Sequence, residues 1–202
     1  PLAFVPIYFG YEKVIEGASY LRELRGSAKQ QERLSDLITN INVTRQNFGT
    51  LQVNVAPPIK LDEWLSDHHA LQASGDDKVI ALGQSIMRSI NERASINPVN
   101  LVALAITQRT HLTMHDDALG GQVACFRQLA RRLHGEAILT SNVESGGDII
   151  DQVAALGFIR RQTEGPWVCC NSSAATLLSW YRNNVLHLFA APSLVALLVS
   201  RA

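Results

Sequence analysis

Apolar positions near the start of the chain fall into two short runs whose period differs from that of everything between them. Residues 3 to 9 form a hydrophobic run that reads as a strand, and Thr50 to Val55, TLQVNV, alternates polar and apolar like a strand with one buried face. Ala56-Pro57-Pro58 ends the second run, because proline withholds a ladder donor and restricts the residue before it. Between the two, Leu21, Leu24, Leu34, Leu37, Ile38 and Ile41 recur at helical spacing, which predicts two helical pieces split near Gly26. A strand, helices and a strand in so short a stretch read as the tail of an α/β domain. Leu61 to Leu65 predicts a short helix, and the polar stretch Ser66 to Asp77 is the linker candidate.

Beyond the linker the pattern turns helical. Val79, Leu82, Ile86, Ile90 and Ala94 lie on one stripe. Asn97-Pro98 is an N-cap followed by proline at the first helical position, opening a nearly all-apolar helix from Val99 to Ile106 that is expected to be buried on most sides. Leu119, Val123, Phe126, Ala130 and Leu133 predict another amphipathic helix, Gly135 to Gly147 a loop, and Ile149 to Leu156 a helix. Gly157 to Arg161 and Trp167 to Cys170 pair as a hairpin around Glu164-Gly165-Pro166, and a last helix carrying Leu177, Tyr181, Val185 and Leu188 is expected to stop near Pro192. The fold class is therefore α/β followed by mainly α, with residues 1–66 ending an α/β domain and 67–202 forming a helical domain. The order helix, helix, hairpin, helix resembles a winged helix, which without a basic recognition helix serves as a packing or interaction module.

Composition narrows the function classes. Eighteen basic and eighteen acidic side chains give zero net charge, which argues against an unaided nucleic-acid binder, since counterion release needs a basic surface. Cys125, Cys169 and Cys170 form neither a disulfide framework nor a zinc spacing, and reduced, buried thiols are expected. The apolar run Val185 to Val199 is interrupted by His187, Pro192 and Ser193 and is too short to span a bilayer. The chain opens on Pro1 already inside a strand, which predicts a piece of a longer protein.

The candidate chemistry is sparse. His111 to Asp116, HLTMHD, satisfies an HxxxxD spacing, in which a histidine base is oriented by a carboxylate. Thr113 and Asp116, however, also read as a capping pair at the start of the amphipathic helix, which gives Asp116 a structural task. His68-His69 lies in the polar linker without further ligands at useful spacing and reads as solvated. Arg127, Arg131 and Arg132 share a helix and read as a solvated face, with an anionic surface as the competing partner. Arg22, Arg25 and Lys29 follow the opening strand and are candidates for binding a phosphorylated substrate.

Three segments in register carry a family resemblance: VPIYFGYEKVIEGASYLRELRGSAKQQERL at 5 to 34, VNVAPPIKLDEWL at 53 to 65, and WYRNNVLHLFAAPSLVA at 180 to 196. Together they closely resemble the bacterial membrane-associated glycerol-3-phosphate 1-O-acyltransferases. In that family four blocks build the active site: HxxxxD, an arginine-bearing block, a glutamate-glycine-arginine block, and a fourth with proline after a small apolar residue. Only the fourth is matched, at Val5, Pro6 and Ile7, so no catalytic residue is carried over and the family's His and Asp are expected upstream of Pro1. His111 and Asp116 come after the fourth block and do not inherit those roles.

The resemblance implies transfer of a fatty acyl group from acyl-acyl carrier protein or acyl-CoA to the 1-hydroxyl of glycerol 3-phosphate, the first step of phospholipid synthesis. It implies no metal or organic cofactor and a membrane lipid surface as partner, at the cytoplasmic side of the cell inner membrane, while no nucleic-acid partner is expected from the balanced charge. Pro6 is expected to support the strand lining the pocket. Dihydroxyacetone-phosphate acyltransferase is the alternative within the enzyme class, and a non-enzymatic helical interaction module the alternative outside it.

Overall fold

The computed structural model describes residues 1–14, 17–24, 47–68 and 75–201. Two compact units divide the chain: Pro1–Gly10 with Leu51–Ser95, and Tyr11–Thr50 with Ile96–Ala202. The element order is β1 (Ala3–Phe4), β2 (Ile7–Tyr11), α1 (Gly17–Leu24), β3 (Leu51–Val55), β4 (Ile59–Lys60), α2 (Leu61–Asp67), α3 (Gly75–Asn91), α4 (Pro98–Ile106), β5 (Thr113–His115), α5 (Asp116–His134), α6 (Gly146–Ala155), β6 (Arg160–Arg161), β7 (Trp167–Cys169) and α7 (Ser172–Arg201). A short 3-10 turn, Glu136–Ile138, separates α5 from α6.

In the first unit the opening run is two strands. β1 pairs antiparallel with β4, matching Ala3 to Lys60 and Phe4 to Ile59, while β2 pairs with β3. The next bond along, from the Ala56 N–H to the Pro6 carbonyl at 2.9 Å, leaves one residue, Val5, on the first arm against Pro57 and Pro58 on the second. The extra residue is a bulge, the place where prolines cost a sheet least. The alternation expected in TLQVNV is present with its faces reversed. Leu51, Val53 and Val55 join Ile7 and Phe9 at 37–58% exposure, while Gln52 and Asn54 are half-buried. The polar side is bonded within the unit: the Gln52 amide donates to Asn54 Oδ1 and the Asn54 amide to the Arg93 carbonyl, both at 2.8 Å.

On α2, Trp64 is buried and donates its indole N–H to Ser85 Oγ on α3 at 3.1 Å. The expected α3 stripe is half-buried at Leu82, Ile86 and Ile90, with Val79 exposed and Ala94 buried just beyond the helix.

The second unit is built around α4, all nine of whose residues are buried. Its start follows the sequence reading: Asn97 Oδ1 accepts the Asn100 N–H and Asn100 Oδ1 accepts the Asn97 N–H, both at 2.9 Å, ahead of Pro98. α5, α6 and α7 pack against α4, and each large apolar side chain removed from water there contributes roughly 1.5–3 kcal/mol. Where α5 meets α6 the backbones touch: a Cβ on Gly146 would lie 2.7 Å from the Gly120 carbonyl carbon and 2.8 Å from its Cα.

The hairpin forms with β7 between β6 and β5, all antiparallel, Val168 pairing with both Arg161 and Met114. The β5 strand was not expected. Thr113 therefore caps nothing; its hydroxyl bonds the His111 carbonyl at 3.1 Å, and the residue preceding α5 is His115.

Three further expectations are corrected. Arg127, not an apolar residue, completes the buried stripe of α5 with Leu119, Val123 and Ala130, whereas Leu133 is exposed. Cys125 is exposed, Cys169 buried and Cys170 intermediate. Finally, α7 does not stop at Pro192 but continues to Arg201 as one 30-residue helix. A helical proline leaves the carbonyl four residues earlier without its N–H partner. That carbonyl, on Leu188, lies 3.1 Å from His134 Nε2 at the end of α5, which supplies the missing donor. By length and composition α7 is long and apolar enough to cross a membrane, although Ala174, Leu178, Tyr181, Val185 and Phe189 are buried in the unit's core. The distal stretch Leu194–Val199 is exposed.

Candidate functional site

Within the fourth block, Pro6 is buried while Val5 and Ile7 on either side are exposed. The strand break at Val5-Pro6 explains the arrangement: proline's fixed φ suits the end of a strand, and its carbonyl still accepts from Ala56. Two residues on, the Tyr8 hydroxyl donates to the Ser95 carbonyl at 3.3 Å, and burial raises its pKa above the ordinary phenol value. Arg22 lies in α1; Arg25 and Lys29, like the helical run from Leu34 to Ile41, lie outside the described residues.

The competing candidates are accounted for structurally. His111 is exposed, and Asp116 is bonded by Arg161, which also reaches Asp151. This clamp ties β6 to the first turn of α5 and to α6, and the Asp116 bond, then the Asp151 bond, raise the Arg161 pKa. His68 stacks on Trp64 with centroids 4.2 Å apart and places Nδ1 2.9 Å from the Trp64 carbonyl, so it is packed rather than solvated; His69 lies outside the described residues. Among the described residues, no cluster of three or more His, Cys, Asp or Glu side chains is placed to hold a metal ion.

Nor is the arginine helix a free cationic face. The Arg127 side chain, 3% exposed, donates to the Ser141 carbonyl at 3.2 Å and sits 3.6 and 3.8 Å from Glu136 and Glu144. Arg131 pairs with the same two glutamates at 3.1 and 3.2 Å. Two of the three guanidiniums are thus committed to holding the loop after α5.

The residues that sequence reasoning missed surround the exit of β2. Asn97 Nδ2 donates to the Tyr11 carbonyl, Lys13 Nζ to the Leu156 carbonyl, and the Val14 N–H to the Tyr181 hydroxyl, each at 2.9 Å. A signal was present: Asn100 is the one polar side chain in an otherwise apolar helix, and a buried amide requires partners. Tyr181 is 1% exposed, packed edge-on by Phe158 and Trp180.

Burial pushes the Tyr181 phenol from its ordinary 10.0 up to about 12, opposed by the Val14 N–H it accepts. Burial and the neighbouring Cys169 push Cys170 from 9.0 to about 11. In both, the fold favours the protonated form, so the stabilisation is complete below the unfolded value and is lost as pH rises through the folded one. Denaturant midpoints are therefore expected to fall across pH 9 to 12, with Tyr181→Phe removing its own share of the fall, between pH 10 and 12. An unchanged alkaline slope in Tyr181→Phe would contradict the assignment.

Short antiparallel strand pairs early in the chain and a mainly helical remainder make this a mixed α/β protein. Residues 20–202 match the family described as "Glycerol-3-phosphate acyltransferase C-terminal region", and the chain belongs to it. Similar proteins include glycerol-3-phosphate acyltransferases of Ectopseudomonas mendocina, 37% identical over 209 residues, and Pseudomonas fluorescens strain SBW25, 35% identical over 209. A third, from Pseudomonas savastanoi pv. phaseolicola, is 34% identical over 212 residues. Each match covers 97% of this chain and 25% of the relative, so the chain spans about a quarter of their length.

Proposed function

We propose that this chain is the carboxyl-terminal part of an enzyme that moves a fatty acyl group from acyl-acyl carrier protein or acyl-CoA to the 1-hydroxyl of glycerol 3-phosphate, opening phospholipid synthesis. The family match over residues 20–202 carries the reading. Residues 1–66 end the α/β domain, a role supported by the open apolar face of β2 and β3, which suits coverage by further structure. In residues 67–202 the order β5-β7-β6, with α5 and α6 before the hairpin, supports the winged-helix-like reading as a packing module.

Val5, Pro6 and Ile7 line the pocket, Pro6 as support, while Arg22, Arg25 and Lys29 attract the acceptor's phosphate. Contact with a lipid surface is supported by the exposed, charge-free stretch Leu194–Val199 of α7, and the surface assigned in this reading is the cytoplasmic side of the inner membrane.

The test is turnover by the full-length protein carrying this segment. With a long-chain acyl thioester and glycerol 3-phosphate it yields 1-acyl-glycerol 3-phosphate; no product overturns the reading, and preference for dihydroxyacetone phosphate moves it to the sister activity. In that protein Pro6→Ala lowers kcat/KM about tenfold by loosening the strand, whereas His111→Ala stays within about twofold. The reverse ranking returns His111 to contention.

A further inference from the structure

Residues 11–14 are tied down along their whole length within the second unit. Beyond the three bonds from Asn97, Lys13 and Tyr181, the Glu12 N–H donates to the Thr50 carbonyl at 3.1 Å and Glu12 Oε2 accepts the Thr50 N–H at 2.9 Å. The anchors are braced in turn: Asn100 Nδ2 donates to the Tyr181 carbonyl at 2.9 Å, and Asn97 Oδ1 accepts from Asn100. An N-cap needs only the Asn97 oxygen, and phenylalanine would fill the core space that Tyr181 fills. The Asn97 amide nitrogen and the Tyr181 hydroxyl serve the chain leaving β2. In sequence, that chain runs from Val5, Pro6 and Ile7 toward α1, which contains Arg22 and whose first residue, Gly17, donates its N–H to the Val14 carbonyl at 3.4 Å.

We propose that Tyr181 and Asn97 are positioning residues for the phosphorylated acceptor, acting by fixing residues 11–14 and so the start of the helix that carries Arg22. The inference rests on the acyltransferase reading. Neither residue touches substrate; each sets where a binding element begins, so its loss weakens acceptor binding more than the chemical step.

Two variants of the full-length protein separate this from a packing role. Tyr181→Phe keeps the ring and removes the acceptor for Val14; Asn97→Asp keeps the cap oxygen and removes the donor to Tyr11. Each is expected to raise the KM for glycerol 3-phosphate about three- to tenfold, the span of one lost hydrogen bond, with kcat and the KM for the acyl thioester within about twofold. Phe158→Leu disturbs the same core without touching these bonds, and is expected to lower Tm while leaving the acceptor KM in place. An unmoved acceptor KM in both variants, a parallel shift of all three constants, or the same KM rise in Phe158→Leu rejects the proposal. If the unsubstituted protein shows no turnover dependent on glycerol 3-phosphate, the acyltransferase reading fails and this inference with it.

Discussion

Gly146→Ala is expected to lower the melting temperature by about 6–12 °C, corresponding to roughly 3 kcal/mol in a chain of this size, whereas Gly120→Ala leaves it unchanged or raised. The asymmetry follows from what each new methyl group meets. A Cβ at Gly146 lands on the Gly120 backbone at 2.7 and 2.8 Å, and backbone within a helix has no rotamer into which to retreat. A Cβ at Gly120 meets the Gly146 carbonyl carbon and the Gly147 nitrogen at 3.7 Å, an ordinary contact. Alanine there also removes the conformational cost of glycine inside α5, worth up to about 1 kcal/mol. Thermal melts of the pair decide the matter: equal sensitivity at both positions would mean that α5 and α6 do not approach through their backbones.

The second large effect concerns activity. The segment Pro1–Ala202 assayed alone, after its cooperative melt has been verified, is expected to give no acyl transfer, while the full-length protein carrying it turns over. A base for the acceptor hydroxyl contributes about 10²–10⁴-fold and must sit within hydrogen-bonding reach of the proton it removes. Among the described residues, the nearest histidine–carboxylate pair is His115 Nδ1 and Asp117, 3.8 Å apart with the carboxylate 97% exposed, too long and too solvated to orient an imidazole. His68 is stacked on tryptophan, His134 is engaged with Leu188, and Asp116 is held by Arg161. Product formation by the isolated segment, abolished by substitution of one of these histidines, would place the chemistry here after all.

Much of the fold was legible because local signals agreed with their surroundings. The Asn97-Pro98 start, the buried apolar helix after it, and the hairpin about Gly165 each follow from neighbouring residues, and the structure contains all three. The misreadings share a different cause. β5 is three residues long and exists because β7, far along the chain, pairs with it, so its sequence alone reads as the approach to a helix. The alternation in β3 correctly separates two faces but carries no information about which one is covered. Arg127 interrupts an apolar stripe because Glu136, Glu144 and the Ser141 carbonyl offset its charge. At the candidate site the Val5-Pro6-Ile7 block was visible as a motif, whereas the bulge at Pro57-Pro58 opposite it and the anchors beyond Tyr11 depend on backbone atoms brought together by folding.

The contact between His134 and the Leu188 carbonyl constrains the order in which this sequence can change. Restoring an amide at position 192 would give that carbonyl its ordinary helical partner and make a donor at 134 dispensable. Losing the histidine first, with Pro192 in place, leaves that carbonyl to water at an exposed position and forfeits about 0.5–1.5 kcal/mol where the helix leaves the core. The histidine and the proline are thus a path-dependent pair: one order of substitutions keeps the carbonyl bonded within the protein throughout, and the other passes through a slightly less stable intermediate.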